Sequence, residues 1–349
     1  MAYTTVNKSS LYQSNLLYTG NNTGQSITGV GFQPDFIWNK ARTNTETHNI
    51  WDVVRGVGKG LVPSNAGGEQ NWSTGVTSFD SDGWTMGVLD SMNDGSVPYA
   101  SWNWKAGGTG SANTDGSINS TVSASTTSGF SIVKWTGSGA NATIGHGLGK
   151  VPTMIIVKNL SSYNWNVYSV GLGATKNLVL NEAEDTETQS YWQDTTPTSS
   201  VFYVNSNSNV NQSSTQMIAY CFADIQGYSK VGAKYVGTGN TDGRFIYTGF
   251  APKFVMTTCV SANGSWWMRG DKIATYNIRS KVIIANTDSA ETNGVAQMDF
   301  LNNGFKLKDT TDASNGDNKE YIYMAFGQSL IGSNNVINTA VHSSDNSPT

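Results

Sequence analysis

The apolar positions along this chain fall in short runs. FIWNK (36–40), MIIVKN (154–159) and FVMTT (254–258) are rich in β-branched and aromatic residues and are bounded by Gly and Pro, as strands are. YIYMAF (321–326) alternates large and small residues, the mark of a strand within a packed sheet. FDSDGWTMG (79–87) and FLNNGFKLK (300–308) each set an Asp-Gly or Asn-Gly turn between apolar stretches, the strongest short-range hairpin signal. No segment holds helical periodicity over three turns. Short strands broken by turns every ~8–12 residues predict an all-β fold of sandwich or barrel type.

The pattern occurs three times. YTGNNTGQSITGVGFQPDFIWNK (18–40), WTGSGANATIGHGLGKVPTMIIVK (135–158) and YVGTGNTDGRFIYTGFAPKFVMTT (235–258) share an aromatic, a glycine-rich loop, a proline and an apolar strand. NIWDVV (49–54), NWNVYSV (164–170) and SWWMRG (265–270) follow. Then come Asn65, Asn181 and Asn286, then Phe79, Phe202 and Phe300, then YASWNW, MIAYCF and YIYMAF. Landmarks in one order, three times, point to triplication of a unit. The expected organisation is three tandem β-sandwich, jelly-roll-like units: residues 1–107, a Gly/Ser/Thr linker over 108–128, residues 129–230, residues 231–332, and a polar tail over 333–349.

Composition narrows the function. Of 349 residues, 13% are charged, about half the ~25% of an ordinary globular protein, so Ser, Thr, Asn and Gly must cover the surface. A net charge of −4 and the absence of any Lys/Arg run argue against a nucleic-acid backbone binder. Cys221 and Cys259 lie in apolar runs and read as buried thiols rather than metal ligands. Met1 is followed by no apolar leader core, and no run approaches the ~20 residues of a membrane span, so neither export by a signal peptide nor a membrane span is expected.

From about residue 11 to SLIGSNNVINTA, the strings quoted above resemble a family of repeated β-domains found in tailed, mostly marine bacteriophages, whose members are tail-fibre-like or virion structural proteins. The resemblance implies a virion protein made in the host cytoplasm and released by lysis. It implies a tail fibre or receptor-binding adhesin that contacts a host surface glycan, with other virion proteins as partners. A capsid decoration or head-fibre protein is the alternative. A glycan depolymerase is the weakest reading, because it needs a carboxylate pair in a groove. Fibre analogy and exposed strand edges imply a homo-oligomer, a trimer.

Two stretches carry candidate chemistry. GVGFQPDFIWNKARTNTETHNIWDVVRG (29–56) gathers Arg42, Glu46, His48, Asp52 and Arg55. Catalysis would need a nucleophile with a base, or paired carboxylates. Asp52 and Arg55, three apart on a strand, would face opposite ways, and the other units repeat neither the His nor the Asp-xx-Arg pair. The cluster therefore reads as a polar network that fixes loops. His146 reads as a turn residue, and DSDG (80–83) as a hairpin turn rather than a calcium loop. No catalytic residue, metal ligand or cofactor is expected, and the protein is not expected to be an enzyme. The loops GGEQNW (67–72) and EAEDTETQSYWQD (182–194) differ most between units. There Trp72, Tyr191 and Trp192 are the expected ligand-binding residues, as rings that stack on sugars, whereas Trp38, Trp51, Trp104 and Trp165 are expected in the core.

Overall fold

The computed structural model describes residues 3–184 and 186–331. Asp185, His342 and the expected polar tail lie outside the described residues. The fold is all-β. Among the described residues the longest helices are single turns, Asp90–Asn93 and Ser208–Asn211, and none is long and apolar enough to cross a membrane.

Each unit is built on one antiparallel sheet in which its first strand pairs with its last. In the first unit the order is Gln13–Thr19, Pro98–Trp104, Phe36–Ala41 and Asn49–Asp52. In the second it is Phe130–Thr136, Gln216–Phe222, Met154–Asn159, Asn166–Ser169 and Lys176–Val179. In the third it is Ser229–Val236, Glu320–Gln328, Ala251–Cys259, Trp267–Gly270 and Arg279–Ile284. The expected hairpins form: Asp80 pairs with Gly83, and Leu301 with Gly304.

Both faces of these sheets are buried, which is why their strands read as nearly continuous apolar runs. Along Gln216–Phe222, Met217, Ala219 and Cys221 face the second unit's own outer core, while Ile218, Tyr220 and Phe222 face another. That other core is common to all three units. It joins Phe36, Trp38 and Trp104 to Ile156, Trp165 and Tyr220, and to Phe254, Met256 and Met324. The units are thus not strung apart along the chain: each has an outer core of its own, and all three close on one shared core. A void of about 10 Å³ remains where they meet, walled by aromatic and aliphatic side chains. Apolar walls offer water no partners.

The stretch 108–128 is not a plain linker. Ser111–Asn113 and Ser120–Ser125 are strands, and the latter pairs along Phe130–Thr136. This covers the second unit's edge. The alternation was hidden because its inward positions, Ser120, Val122 and Ala124, are small or only weakly apolar. Cys221 and Cys259 are free and buried.

Candidate functional site at the unit junctions

The cluster that opens the first unit lies at its junctions with the other two. Sheet register defines the equivalent positions. Trp38, Ile156 and Met256 each pair with the last strand of their unit, at Trp102, Tyr220 and Met324. On their other side they pair with Ile50, Val167 and Met268. Two residues earlier stand His48, Trp165 and Trp266. The three have one role. Trp165 Nε1 of the second unit donates to Val62 O of the first at 3.1 Å, and Trp266 Nε1 of the third donates to Val179 O of the second at 3.0 Å. His48 Nε2 of the first lies 3.0 Å from Ile284 O of the third. The accepting residues are equivalent too, each directly following Leu61, Leu178 or Ile283, which pair with Ile50, Val167 and Met268. The three contacts close a ring, and His48 stands where its siblings have an indole.

The imidazole tautomer follows from its partners. Trp38 Nε1–H donates to His48 Nδ1 at 2.9 Å, so Nδ1 is bare and Nε2 carries the proton given to Ile284 O. Burial, with the Lys40 charge behind it, pushes the His48 pKa down to about 3. It is neutral at physiological pH, with both nitrogens occupied.

Asp52 ties the first unit to the second. Its Oδ2 accepts from Arg55 Nε at 2.5 Å and from Tyr220 OH at 2.8 Å, and its Oδ1 accepts from the amides of Val54 and Arg55 at 3.0 and 2.9 Å. Arg55 donates its other groups to Lys59 O and Ile50 O. The expectation that Asp52 and Arg55 face apart is overturned. The strand ends at Asp52 and the chain turns over 53–55, which brings residues three apart together. Arg42 makes a bidentate pair with Glu291 of the third unit at 2.7 and 3.2 Å. The loop-fixing reading of the cluster therefore holds, with the addition that its partners lie in neighbouring units.

Buried lysines serve the same end. Lys40, Lys158 and Thr258 are equivalent by register, facing Ala100, Ile218 and Ile322. Lys40 Nζ donates to Ala41 O and Asn44 O, and Thr258 Oγ1 to Gly264 O. Lys158 Nζ donates to Ser162 O, Tyr163 O and, in the first unit, Ala66 O. Burial lowers Lys40 to about 8 and Lys158 to about 7. Perturbed lysines often mark reactive sites, but these ammoniums are each spent on loop carbonyls. His146 is likewise satisfied, with Nδ1 accepting from Leu148 N at 3.2 Å and Nε2 beside Thr198 O. No group of three or more His, Cys, Asp or Glu side chains among the described residues could hold a metal ion.

Two of the three expected sugar-stacking rings, Tyr191 and Trp192, are buried, and the third is half-covered. Trp192 is 1% exposed, donates Nε1–H to Lys176 O at 3.1 Å and packs edge-on against Tyr168. Tyr191 is buried, and its hydroxyl accepts from Asn209. Trp72 is half-buried against Trp51 and covers Gly60, where a Cβ would lie 2.3 Å from its ring. An aromatic in a polar loop here anchors the loop to the core.

The exposed aromatics lie elsewhere: Tyr163 in the second unit, and a larger group on the outer face of the third. Tyr276 is 79% and Tyr247 64% exposed, and Phe245, Ile278 and Leu301 join them. Phe245 and Tyr247 flank buried Ile246 on the edge strand Phe245–Tyr247, which pairs with Gly304–Leu307. Gly304 is shared: it pairs with Tyr247 on one side and Leu301 on the other, and the Phe245 ring occupies the space a Cβ would take. Asn277, between Tyr276 and Ile278, exchanges two hydrogen bonds with the Phe300 backbone. Phe245, Tyr247 and Leu301 thus share one face of the strands about Gly304, with Tyr276 and Ile278 beside the strand that carries Leu301. Strand alternation gave the signal for this face in FIY (245–247), where the middle residue is the inward one. Two clefts also open at unit junctions, about 350 Å³ between the first and third units and about 460 Å³ between the first and second.

Sheet, register and junctions together define a class: an all-β, triplicated body whose units interlock around one core. The chain belongs to the family described as "Domain of unknown function (DUF7483)", whose family model matches residues 8–329 and so spans all three units. No curated protein and no solved structure matches the chain.

Proposed function

We propose that this chain is a bacteriophage virion surface protein, and that it contacts the host surface glycan through the third unit's outer face. The observation that carries the recognition face is the exposure of Tyr247, Tyr276, Phe245, Ile278 and Leu301 on neighbouring strands and the adjoining loop of one unit. A contiguous apolar patch on a polar protein marks an interaction site. Tyrosine rings suit sugar faces, while Asn302, Asn303 and the Lys306–Asp242 pair stand beside them for hydroxyl groups. The virion setting rests on the resemblance of the repeated motifs to phage fibre-like and structural proteins. Self-association, a trimer by fibre analogy, and contact with other virion proteins belong to the same reading. The test is adsorption of phage particles carrying Tyr247→Ser with Tyr276→Ser. Adsorption should fall on the order of tenfold or more, since stacking on one ring contributes ~1–3 kcal/mol by analogy with nucleobases. Unchanged adsorption by the double variant would overturn the recognition face.

One observation favours capsid decoration as a second reading. The junction contacts close cyclically within one chain, giving a body of three-fold character that matches a three-fold position on a capsid lattice. A virion map that locates the protein on the head would favour it, and one that locates it on the tail would exclude it.

A further inference from the structure

The cleft between the first and third units has a charge balance that the fold does not need. Lys8, Lys253 and Lys272 line it, against one carboxylate, Asp271. That carboxylate is already engaged, accepting from Asn15 Nδ2 at 2.7 Å. None of the three lysines enters an ion pair among the described residues. In a chain of net charge −4, this is a local excess of cations around a cavity of about 350 Å³.

The floor of the cleft is polar and fixed. Gln13 and Asn15 are buried, Gln13 Nε2 donates to Asn15 Oδ1 at 2.6 Å, and Asn15 Nδ2 also donates to Lys253 O at 2.9 Å. Ser10 and Ser14 add hydroxyls at the wall. Lys253 itself is placed by a bulge: pairing with the last strand passes from Pro252 to Phe254 and leaves Lys253 out. Bulges re-aim side chains and are common beside functional sites.

Comparison between units sharpens the point. The residue directly after the landmark proline is Asp35, Thr153 or Lys253. Asp35 accepts from the amides of Ala106 and Gly108 at 2.7 and 3.1 Å, and Thr153 donates to Phe222 O. Two units spend this position on holding their own backbone. The third turns a cation into a cleft.

We propose that this cleft binds an acidic saccharide, with the lysine ammoniums holding a carboxylate and Gln13, Ser10 and Ser14 meeting hydroxyl groups. The cavity falls at the small end of the ~300–1,000 Å³ typical of ligand pockets, which is room for one or two sugar rings. Lysines are compact, strongly hydrated point charges, so binding is salt-sensitive. The inference does not depend on where the protein resides or on the third unit's aromatic face.

The test is calorimetric titration of the full chain with hexagalacturonate, with maltohexaose as the uncharged polyol and inorganic phosphate as the anion without a polyol. Hexagalacturonate should bind, and both controls should bind at least about tenfold more weakly. Affinity should collapse in ~1 M salt, where the screening length falls to ~3 Å. Lys253→Gln with Lys272→Gln should lose on the order of tenfold at an unchanged melting temperature. Should that pair unsettle the fold, Lys8→Gln, at an exposed position outside the sheet, asks the same question. Lys134→Gln at the other junction cleft should bind as the parent does. Equal binding of maltohexaose, phosphate as tight as hexagalacturonate, no hexagalacturonate binding, or full affinity in the lysine variants would each overturn the proposal. Loss of solution binding with normal phage adsorption would sink this site alone, leaving the attachment reading intact.

Discussion

The junction between the first and third units and the junction between the second and first are built on the same register but from different chemistry. At one, an imidazole reaches across to Ile284 O; at the other, an indole reaches Val62 O. The positions beside them diverge as well. Asp52, Ser169 and Gly270 are equivalent, opposite Phe36, Met154 and Phe254. Asp52 takes the Tyr220 hydroxyl, and Ser169 donates to Gly232 O. Gly270 offers no side-chain partner, and a Cβ there would stand at ordinary contact distance, 3.5 Å, from Trp102 Nε1. Repetition conserves where units touch, while each junction settles separately which atoms meet. Only one of the three ring contacts can titrate.

The largest effects should come from the shared core. Trp165→Ala removes a fully buried indole and its cross-unit bond, and should cost about 3–5 kcal/mol in chemical denaturation. Asp52→Ala should cost a similar ~3–5 kcal/mol, because it leaves the buried Arg55 guanidinium with only its longer, 3.5 Å pairing to Glu69. His48→Ala removes a smaller ring and two bonds, and should cost less than Trp165→Ala. If His48→Ala proves the more damaging, the cyclic equivalence of the two positions is wrong.

Acid should single out the imidazole junction. His48 has a folded pKa lowered to about 3 from an ordinary 6.5. The unfolded chain therefore takes up the proton first as pH falls, so stability is held above pH ~6.5 and lost between there and pH ~3, by about 2 kcal/mol at pH 5. The cause is burial with the Lys40 charge beside it, and a proton on Nδ1 would in addition face the Trp38 N–H. His146, also lowered by burial, acts in the same sense, whereas Asp35 and Asp309, raised by burial, act oppositely at lower pH. His48→Gln isolates the effect, since an amide can donate to Ile284 O and accept from Trp38 without titrating. Melting temperature against pH should be flatter for His48→Gln between pH 7 and 5. A parallel decline in both proteins would remove His48 as the acid-sensitive group.

Strand runs, the three prolines and the hairpin turns were legible because they rest on local rules, alternation and turn chemistry. What failed is non-local. The string NIWDVV lies beside NWNVYSV and SWWMRG with tryptophans that invite alignment, yet register places His48, not Trp51, with Trp165 and Trp266. Trp51 is instead equivalent to Tyr168 and Arg269, opposite Ile37, Ile155 and Val255. Matching tryptophans mislead here by three positions, an odd slip that reverses the facing: Trp51 packs in the first unit's own outer core, whereas Trp165 faces the shared one. Trp192 failed for another reason. Polar neighbours suggest exposure, but only tertiary packing shows that its ring turns in against Tyr168. The shared core was invisible too. Apolar strands signal burial on both faces without saying that the second face is covered by the chain's other units.

The smallest expected effect on stability is the most telling for function. Tyr276 stands 79% exposed, and its ring enters no aromatic pair among the described residues. Tyr276→Ser should therefore change stability by no more than the about ±0.5 kcal/mol usual for surface changes, leaving the melting temperature close to the parent's. Trp192→Ala, at the ring first favoured for ligand contact, should cost about 3–5 kcal/mol and alter binding only as far as it unfolds the protein. If glycan contact lies on the third unit's outer face, Tyr276→Ser weakens host-surface binding while melting like the parent. The pairing is decisive because the two variants exchange roles under the opposite assignment. A Tyr276→Ser protein that binds normally, beside a Trp192→Ala protein that stays folded and fails to bind, would return recognition to the loop of the second unit.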